Sequence, residues 1–211
     1  GYYYGREYGS LHIANRKPTY DSPRVVHVTY TPRLVLRDAW HLAHFLNLNQ
    51  IEIPVQDVDK IDPTVRNSSR YSHAYCTAIS LAGLPLFFQE THFLEGQARE
   101  ETRSIMRAWR GHREEMAKGY TFPIGAEPCD AAWTGFQSHD PETGSGYVLV
   151  FRELEAPESQ KSLPLHFVKG RPLQWQDILG EETWREEESS GLLTCRVDEA
   201  PGFRWLQYVV P

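Results

Sequence analysis

The chain has 211 residues, with 40% hydrophobic and 12% aromatic content. That is enough for one large domain, or for a part-domain joined to a small one, and it excludes wholesale disorder. A formal net charge of −6 argues against a nucleic-acid groove or an anionic membrane surface as the main partner.

No apolar run approaches the roughly 20 residues of a membrane-spanning helix, and no signal peptide is visible. The chain opens Gly1-Tyr2-Tyr3-Tyr4 with no Met, which reads as the middle of something longer, so the compartment is left open. Cys76, Cys129 and Cys195 are odd in number and far apart. They suit neither a disulfide framework nor a metal cluster, and each is expected to be a small buried residue.

Residues 1–24, rich in Tyr, Gly, Arg and Pro, read as a long loop over a larger body. Its Arg6, Glu7, His12, Asn15 and Arg16 are either contacts for a polar ligand or simply solvated. Arg24–Tyr30 reads as a strand by its β-branched content. Thr31-Pro32 then starts a helix to about Leu46. Apolar residues from Leu34 to Leu46, Trp40 and Phe45 among them, wrap much of its circumference, so it is expected to be largely buried. Strand Ile51–Gln56, a loop to Arg70, helix Ser72–Ala82 and strand Leu84–Phe88 follow. An order β, α, β, α, β implies parallel strands joined by crossovers. Gln97–Lys118 is a charged amphipathic helix, with Gly119 as its stop.

From Tyr120 the pattern changes to short extended runs punctuated by Gly and Pro. These are Trp133–Gln137, Tyr147–Arg152, Leu163–Val168, Leu192–Val197 and Phe203–Val209, which suggest an antiparallel sandwich. Charge divides at the same place. Residues 119–211 carry 7 Lys and Arg against 15 Asp and Glu, a net −8, and residues 1–118 carry the balance, a net +2. The acidic cluster Glu181–Glu188 reads as a solvated turn. The expected fold is therefore α/β plus all-β. Residues 1–118 form a partial βα (TIM-type) barrel segment, and residues 119–211 a small antiparallel β-sandwich domain.

Two β runs end in acids. Asp57, Asp59 and Asp62 follow the first; Gln89, Glu90 and His92 follow the second. A βα-barrel carries its working residues at these strand ends. Asp57 and Asp59 are two apart, so in extended chain they point to one side. They suit a pair gripping sugar hydroxyls or a catalytic pair, against the plainer roles of helix capping and loop closure. Glu90 is either a further strand-end acid or the partner of a nearby Arg. His27, inside an apolar strand, is either a barrel-facing group or a satisfied core histidine. No spacing that includes His73 or His92 makes a metal-ligand set. No phosphate loop or nucleophile elbow is present, and no cofactor is expected. Trp133 and Phe136 read as core, with sugar stacking as the alternative.

Certain phrases carry a family likeness. Pro54-Val55-Gln56-Asp57-Val58-Asp59 with Asp62-Pro63, His73-Ala74-Tyr75, and Gly83-Leu84-Pro85-Leu86-Phe87-Phe88 resemble the α-galactosidase and raffinose-synthase-like glycoside hydrolases. So do Phe122-Pro123-Ile124-Gly125 and Gly146-Tyr147-Val148-Leu149-Val150-Phe151-Arg152, over most of residues 24–211. The resemblance implies the last three strands of a βα-barrel followed by its C-terminal sandwich. It implies an oligosaccharide or glycoside as partner, together with an upstream part of the parent chain that supplies the nucleophile. Asp57, Asp59 and Glu90 are then candidate catalytic or substrate-binding groups, with His92 and His27 beside them. The place that matches the family's acid/base aspartate reads Val28-Thr29-Tyr30-Thr31, with no carboxylate, so either that group has moved, the protein is catalytically altered, or the strand aligns elsewhere. A non-catalytic carbohydrate-binding or scaffold module is the alternative.

Overall fold

The structure, a computed structural model, describes residues 11–12, 30–60, 67–87 and 94–211. Its first part is a three-stranded parallel sheet of β1 (Leu11–His12), β2 (Ile51–Val55) and β3 (Leu84–Phe87), in that order. The two-residue β1 falls inside the stretch read above as loop, and it pairs only with Ile51 and Glu52. Pro54, which has no N–H to give a ladder, lies beyond that pairing. Most of the expected strand Arg24–Tyr30, with His27, lies outside the described residues.

Helix α1 (Pro32–Ala43) starts as expected, with Thr31 extended and Pro32 in the first turn. Val35, Ala39 and Ala43, four apart, make the buried stripe together with Leu36. The helix ends earlier than expected, so Phe45 lies past it and is 84% exposed. Trp40 sits at the edge of the core, its indole N–H donating to Ile124 O (3.2 Å). Helix α2 (His73–Ser80) is the crossover from β2 to β3, and seven of its eight residues are buried. Ser72 caps it by accepting from the Tyr75 N–H (3.1 Å). Helix α3 (Gly96–Met116) buries Thr102, Ile105 and Met116 under a charged outer face. Its cap is Ala117 rather than Gly119.

The second part is antiparallel. Strands β4 (Tyr120–Gly125), β5 (Trp133–His139), β6 (Gly146–Arg152), β8 (Leu173–Asp177), β9 (Thr183–Glu186) and β11 (Gly202–Val209) form one sheet, ordered β4-β5-β6-β11-β8-β9. Strands β7 (Gln160–Pro164) and β10 (Leu192–Arg196) pair as a second, smaller sheet. The run expected at Leu163–Val168 is displaced: the strand starts at Gln160 and ends at Pro164, and Phe167 lies beyond it with φ 64°. The acidic stretch read as a turn contains strand β9.

Strand alternation explains how the six-stranded sheet is covered on both faces. Phe136, Tyr147, Leu149, Phe151 and Trp205 point to the helices and pack with Val35, Tyr75, Ile79 and Ile105. Their neighbours Val148, Val150, Leu206 and Tyr208 point the other way, onto Leu163, Leu193 and Cys195 of the small sheet. Every residue of β5 and β6 is therefore buried, as in a strand covered on both sides. The molecule is an α/β segment followed by an antiparallel β-sandwich, and one apolar layer runs across the junction. Phe136 is buried in that layer and Trp133 in the core on the other face of the sheet, which removes both as sugar-stacking surfaces. Cys76 and Cys195 are buried, but Cys129 is exposed, against expectation. Among the described residues, no helix is long and apolar enough to cross a membrane.

Candidate functional site

Strand β2 carries Ile51, Ile53 and Val55 into the core and then delivers Gln56 and Asp57 at its C-terminal end, both still buried. One carboxylate oxygen of Asp57 accepts from the Asp59 backbone N–H (3.0 Å). This two-residue turn starts the short 3₁₀ segment Val58–Lys60. The same oxygen accepts from His73 Nε2 (2.9 Å). His73 is the first residue of α2, so the crossover helix brings an imidazole back over the strand end it left. Asp59 Oδ2 lies 3.8 Å from the same nitrogen, with most of its side chain in solvent.

The three groups thus differ in role. His73 and Asp57 form a shielded pair, and Asp59 is the outward carboxylate beside it. Their ligand atoms lie within 4.8 Å of one another. In this arrangement the imidazole nitrogen is occupied as a donor to Asp57. Gln56 adds a buried side-chain oxygen that has no hydrogen-bond partner among the described residues. Val55 and Phe87 are register partners, so the chain leaves β2 and β3 at the same end of the sheet. Glu90, His92 and Asp62 lie beyond those ends, outside the described residues, as does His27.

The structure places Asp57 and Asp59 beside each other through a turn rather than in extended chain, one buried and one outward, and adds His73, which no sequence spacing had singled out. The signal for His73 was its place just after a helix cap, where its ring is carried back to the preceding strand end. A cavity of about 320 Å³ lies at the opposite end of β3, lined by Leu81, Gly83, Leu84, Trp109, Phe136 and Leu149 among others. It is apolar in character and does not include the Asp57 cluster.

The sequence matches no protein-family model and no curated protein. The fold, however, is one seen in the galactosidase domains of α-galactosidases. The galactosidase domain of alpha-galactosidase-sucrose kinase, AgaSK, superposes on 87% of this chain with a TM-score of 0.67 at 13% identity. A variant of the GH36 alpha-galactosidase AgaA from Geobacillus stearothermophilus, in complex with raffinose, superposes on 87% at TM-score 0.66 and 11% identity. A structure of AgaA in complex with 1-deoxygalactonojirimycin gives 0.62 over 86% at 10% identity. In each case this chain spans 25% of the length of the other. The likeness is one of fold.

Proposed function

We propose that this chain is the C-terminal portion of a carbohydrate-active glycoside hydrolase of α-galactosidase type. On this reading residues 1–118 are the last βα units of a TIM-type barrel and residues 119–211 its supporting sandwich domain. Asp57 and Asp59 contact the saccharide at the strand-end rim, with Glu90, His92 and His27 as further candidates. The observation that carries the reading is the buried Asp57–His73 pair at the C-terminal end of a parallel strand, the place where βα folds put their chemistry. The fold likeness supports it. The nucleophile belongs to an upstream part of the parent chain.

The pair suggests a division of labour. A carboxylate that already accepts from an imidazole and a backbone amide is held in one orientation, as a group that grips a hydroxyl must be. Asp59, outward and beside it, offers the free oxygens. Two carboxyl groups in catalysis would need a separation of roughly 5–5.5 Å for retention or 6.5–9.5 Å for inversion, across a bound sugar. Asp57 with Asp59 form a turn rather than such a cleft, so the second catalytic carboxyl is sought on another strand.

The test is the parent protein assayed on an aryl α-galactoside, as wild type and with Asp57→Asn and Asp59→Asn. Turnover that falls in both variants supports the reading; wild-type protein without turnover removes the enzymatic claim. The second reading, a non-catalytic glycan-binding module, is favoured by the absence of a carboxylate in Val28-Thr29-Tyr30-Thr31. Calorimetric glycan binding without hydrolysis would select it.

A further inference from the structure

Glu153 follows β6 in the sandwich and is fully buried. A carboxyl group is seldom found there unless it is paired or hydrogen-bonded. Its two oxygens are divided between two tyrosines of the other part of the molecule. Tyr71 Oη donates to Oε2 (2.9 Å) and Tyr75 Oη to Oε1 (2.7 Å). Both tyrosines are buried, with ring centroids 5.1 Å apart, and Tyr75 also packs edge-on against Phe151 of β6 (5.2 Å). The Glu153 backbone is fixed in turn, its N–H donating to Ala132 O (3.0 Å).

Tyr71 and Tyr75 bracket only three residues: Ser72, His73 and Ala74. One carboxylate therefore pins both sides of the turn that starts α2, and that turn carries His73 to Asp57. From these contacts we infer that Glu153 is a positioning residue. It sets the placement of the His73 ring against Asp57 from inside the sandwich, without itself reaching the site. The tyrosines transmit the constraint through a helix start that Ser72 already caps, so a loosened bracket moves the cap and the imidazole together. This gives the sandwich a task in the site beyond covering the helices. Burial drives the Glu153 carboxyl above its usual range, while the two hydroxyls and Arg33 oppose that rise. The tyrosine hydroxyls, buried beside it, are pushed up as well, so they stay protonated and remain donors. The inference rests on the proposed role of the Asp57–His73 pair, but its first readout does not.

The experiment uses the intact protein with ¹³Cε1-labelled histidine and follows the His73 ring signal by NMR, assigned with His73→Gln. The variants are Tyr71→Phe and Tyr75→Phe, which keep the rings and remove one hydroxyl each, and Glu153→Gln, which keeps one acceptor oxygen. Leu193→Ala, in the distant face of the sandwich core, controls for general loss of stability. The expected result is a shifted His73 signal in both Tyr→Phe forms, a smaller shift in Glu153→Gln, and none in Leu193→Ala. Raffinose affinity should fall by roughly tenfold in the Tyr→Phe forms, as for supporting groups around other sites. A His73 signal that stays put in both Tyr→Phe forms, while the melting temperature drops, would overturn the inference and leave Glu153 a purely structural anchor. A shifted signal with no raffinose binding by any form, wild type included, would uphold the positioning role and overturn the glycan reading.

Discussion

The six-stranded sheet and the parallel sheet of this molecule are built in opposite ways. The six-stranded sheet is antiparallel, its neighbours mostly close in sequence, and both of its faces are covered by side chains of residues 30–211. The parallel sheet has a two-residue strand on one side of β2 and a four-residue strand on the other. Among the described residues, β3 pairs with β2 alone, and all four of its residues are only partly buried. The sandwich is thus a structure largely completed by local pairing. The parallel sheet depends on its helices, and the helices depend on the sandwich face they rest on. The consequence for function is that the strand-end acids stand on the less self-sufficient half.

The largest test of that contrast is to separate the halves. Residues 1–118 expressed alone would leave Val35, Tyr75, Ile79 and Ile105 without Phe136, Leu149, Phe151 and Trp205, which pack in the same cluster. Exposed apolar faces of this kind associate, and an unfinished sheet edge adds to the hazard. We expect aggregated or associating protein by size-exclusion chromatography for 1–118. Residues 119–211 should retain β-sheet circular dichroism, because the second apolar face is internal to them. A monomeric 1–118 that unfolds cooperatively would show the dependence to be wrong.

Next in size is Trp205→Ala. Trp205 is fully buried in β11 on the face that meets the helices, and such truncations cost about 3–5 kcal/mol. Because the cluster spans both halves, thermal unfolding followed by far-ultraviolet circular dichroism should keep one transition, shifted down. Two separated transitions would mean that the halves are not coupled through this layer.

Much of this organisation was legible in the sequence. The ends of β2, β3 and α3 fall within two residues of where periodicity, caps and Gly-Pro punctuation put them. The run Tyr147–Arg152 also announced itself, because a strand buried on both sides has no polar alternation to hide it. Among the described residues, the two-residue β1 and three strands of the sandwich escaped. Tyr120–Gly125 contains Pro and Gly, which read as breaks. Leu173–Asp177 and Thr183–Glu186 are largely polar because only alternate residues turn inward or the strand lies at the sheet edge. The site was legible only by halves. Asp57 and Asp59 share a strand end and so share a place in the sequence, but His73 is 16 residues away across a loop, and Glu153 about 80 residues from its tyrosines. Neither separation has a period to betray it.

A smaller perturbation probes the parallel half directly. At Gly83, just before β3, a Cβ would sit 2.5 Å from Ile51 O and 2.8 Å from Leu48 O. Both are backbone atoms that cannot swing aside. Gly83→Ala should therefore cost about 1–3 kcal/mol, as overpacking does. The strain falls on β2 and β3, so amide exchange should quicken there and stay unchanged in β5 and β6. Equal acceleration in both sheets would mean that the halves share strain as well as core.

The smallest expected effect is a slope with pH, and it belongs to the sandwich. His139 ends β5 and is buried. Its Nδ1 lies 2.8 Å from the Tyr208 hydroxyl, which also accepts from Gln137 Nε2 (2.8 Å). A hydroxyl so placed donates to an unprotonated imidazole nitrogen. Burial, then the nearby Arg171, hold the His139 pKa below its ordinary value, against a weaker pull from Asp140. The folded state therefore binds fewer protons than the unfolded chain just below the unfolded histidine value of about 6.5. Stability is full above that pH and declines as pH falls from there through the lowered folded pKa. His139→Gln removes the titrating group, so its melting temperature should drop less than that of the wild type between pH 7 and pH 5. A slope that is the same in His139→Gln and in the wild type would mean that His139 does not set the acid sensitivity of the fold, and the contrast between the halves would lose this support.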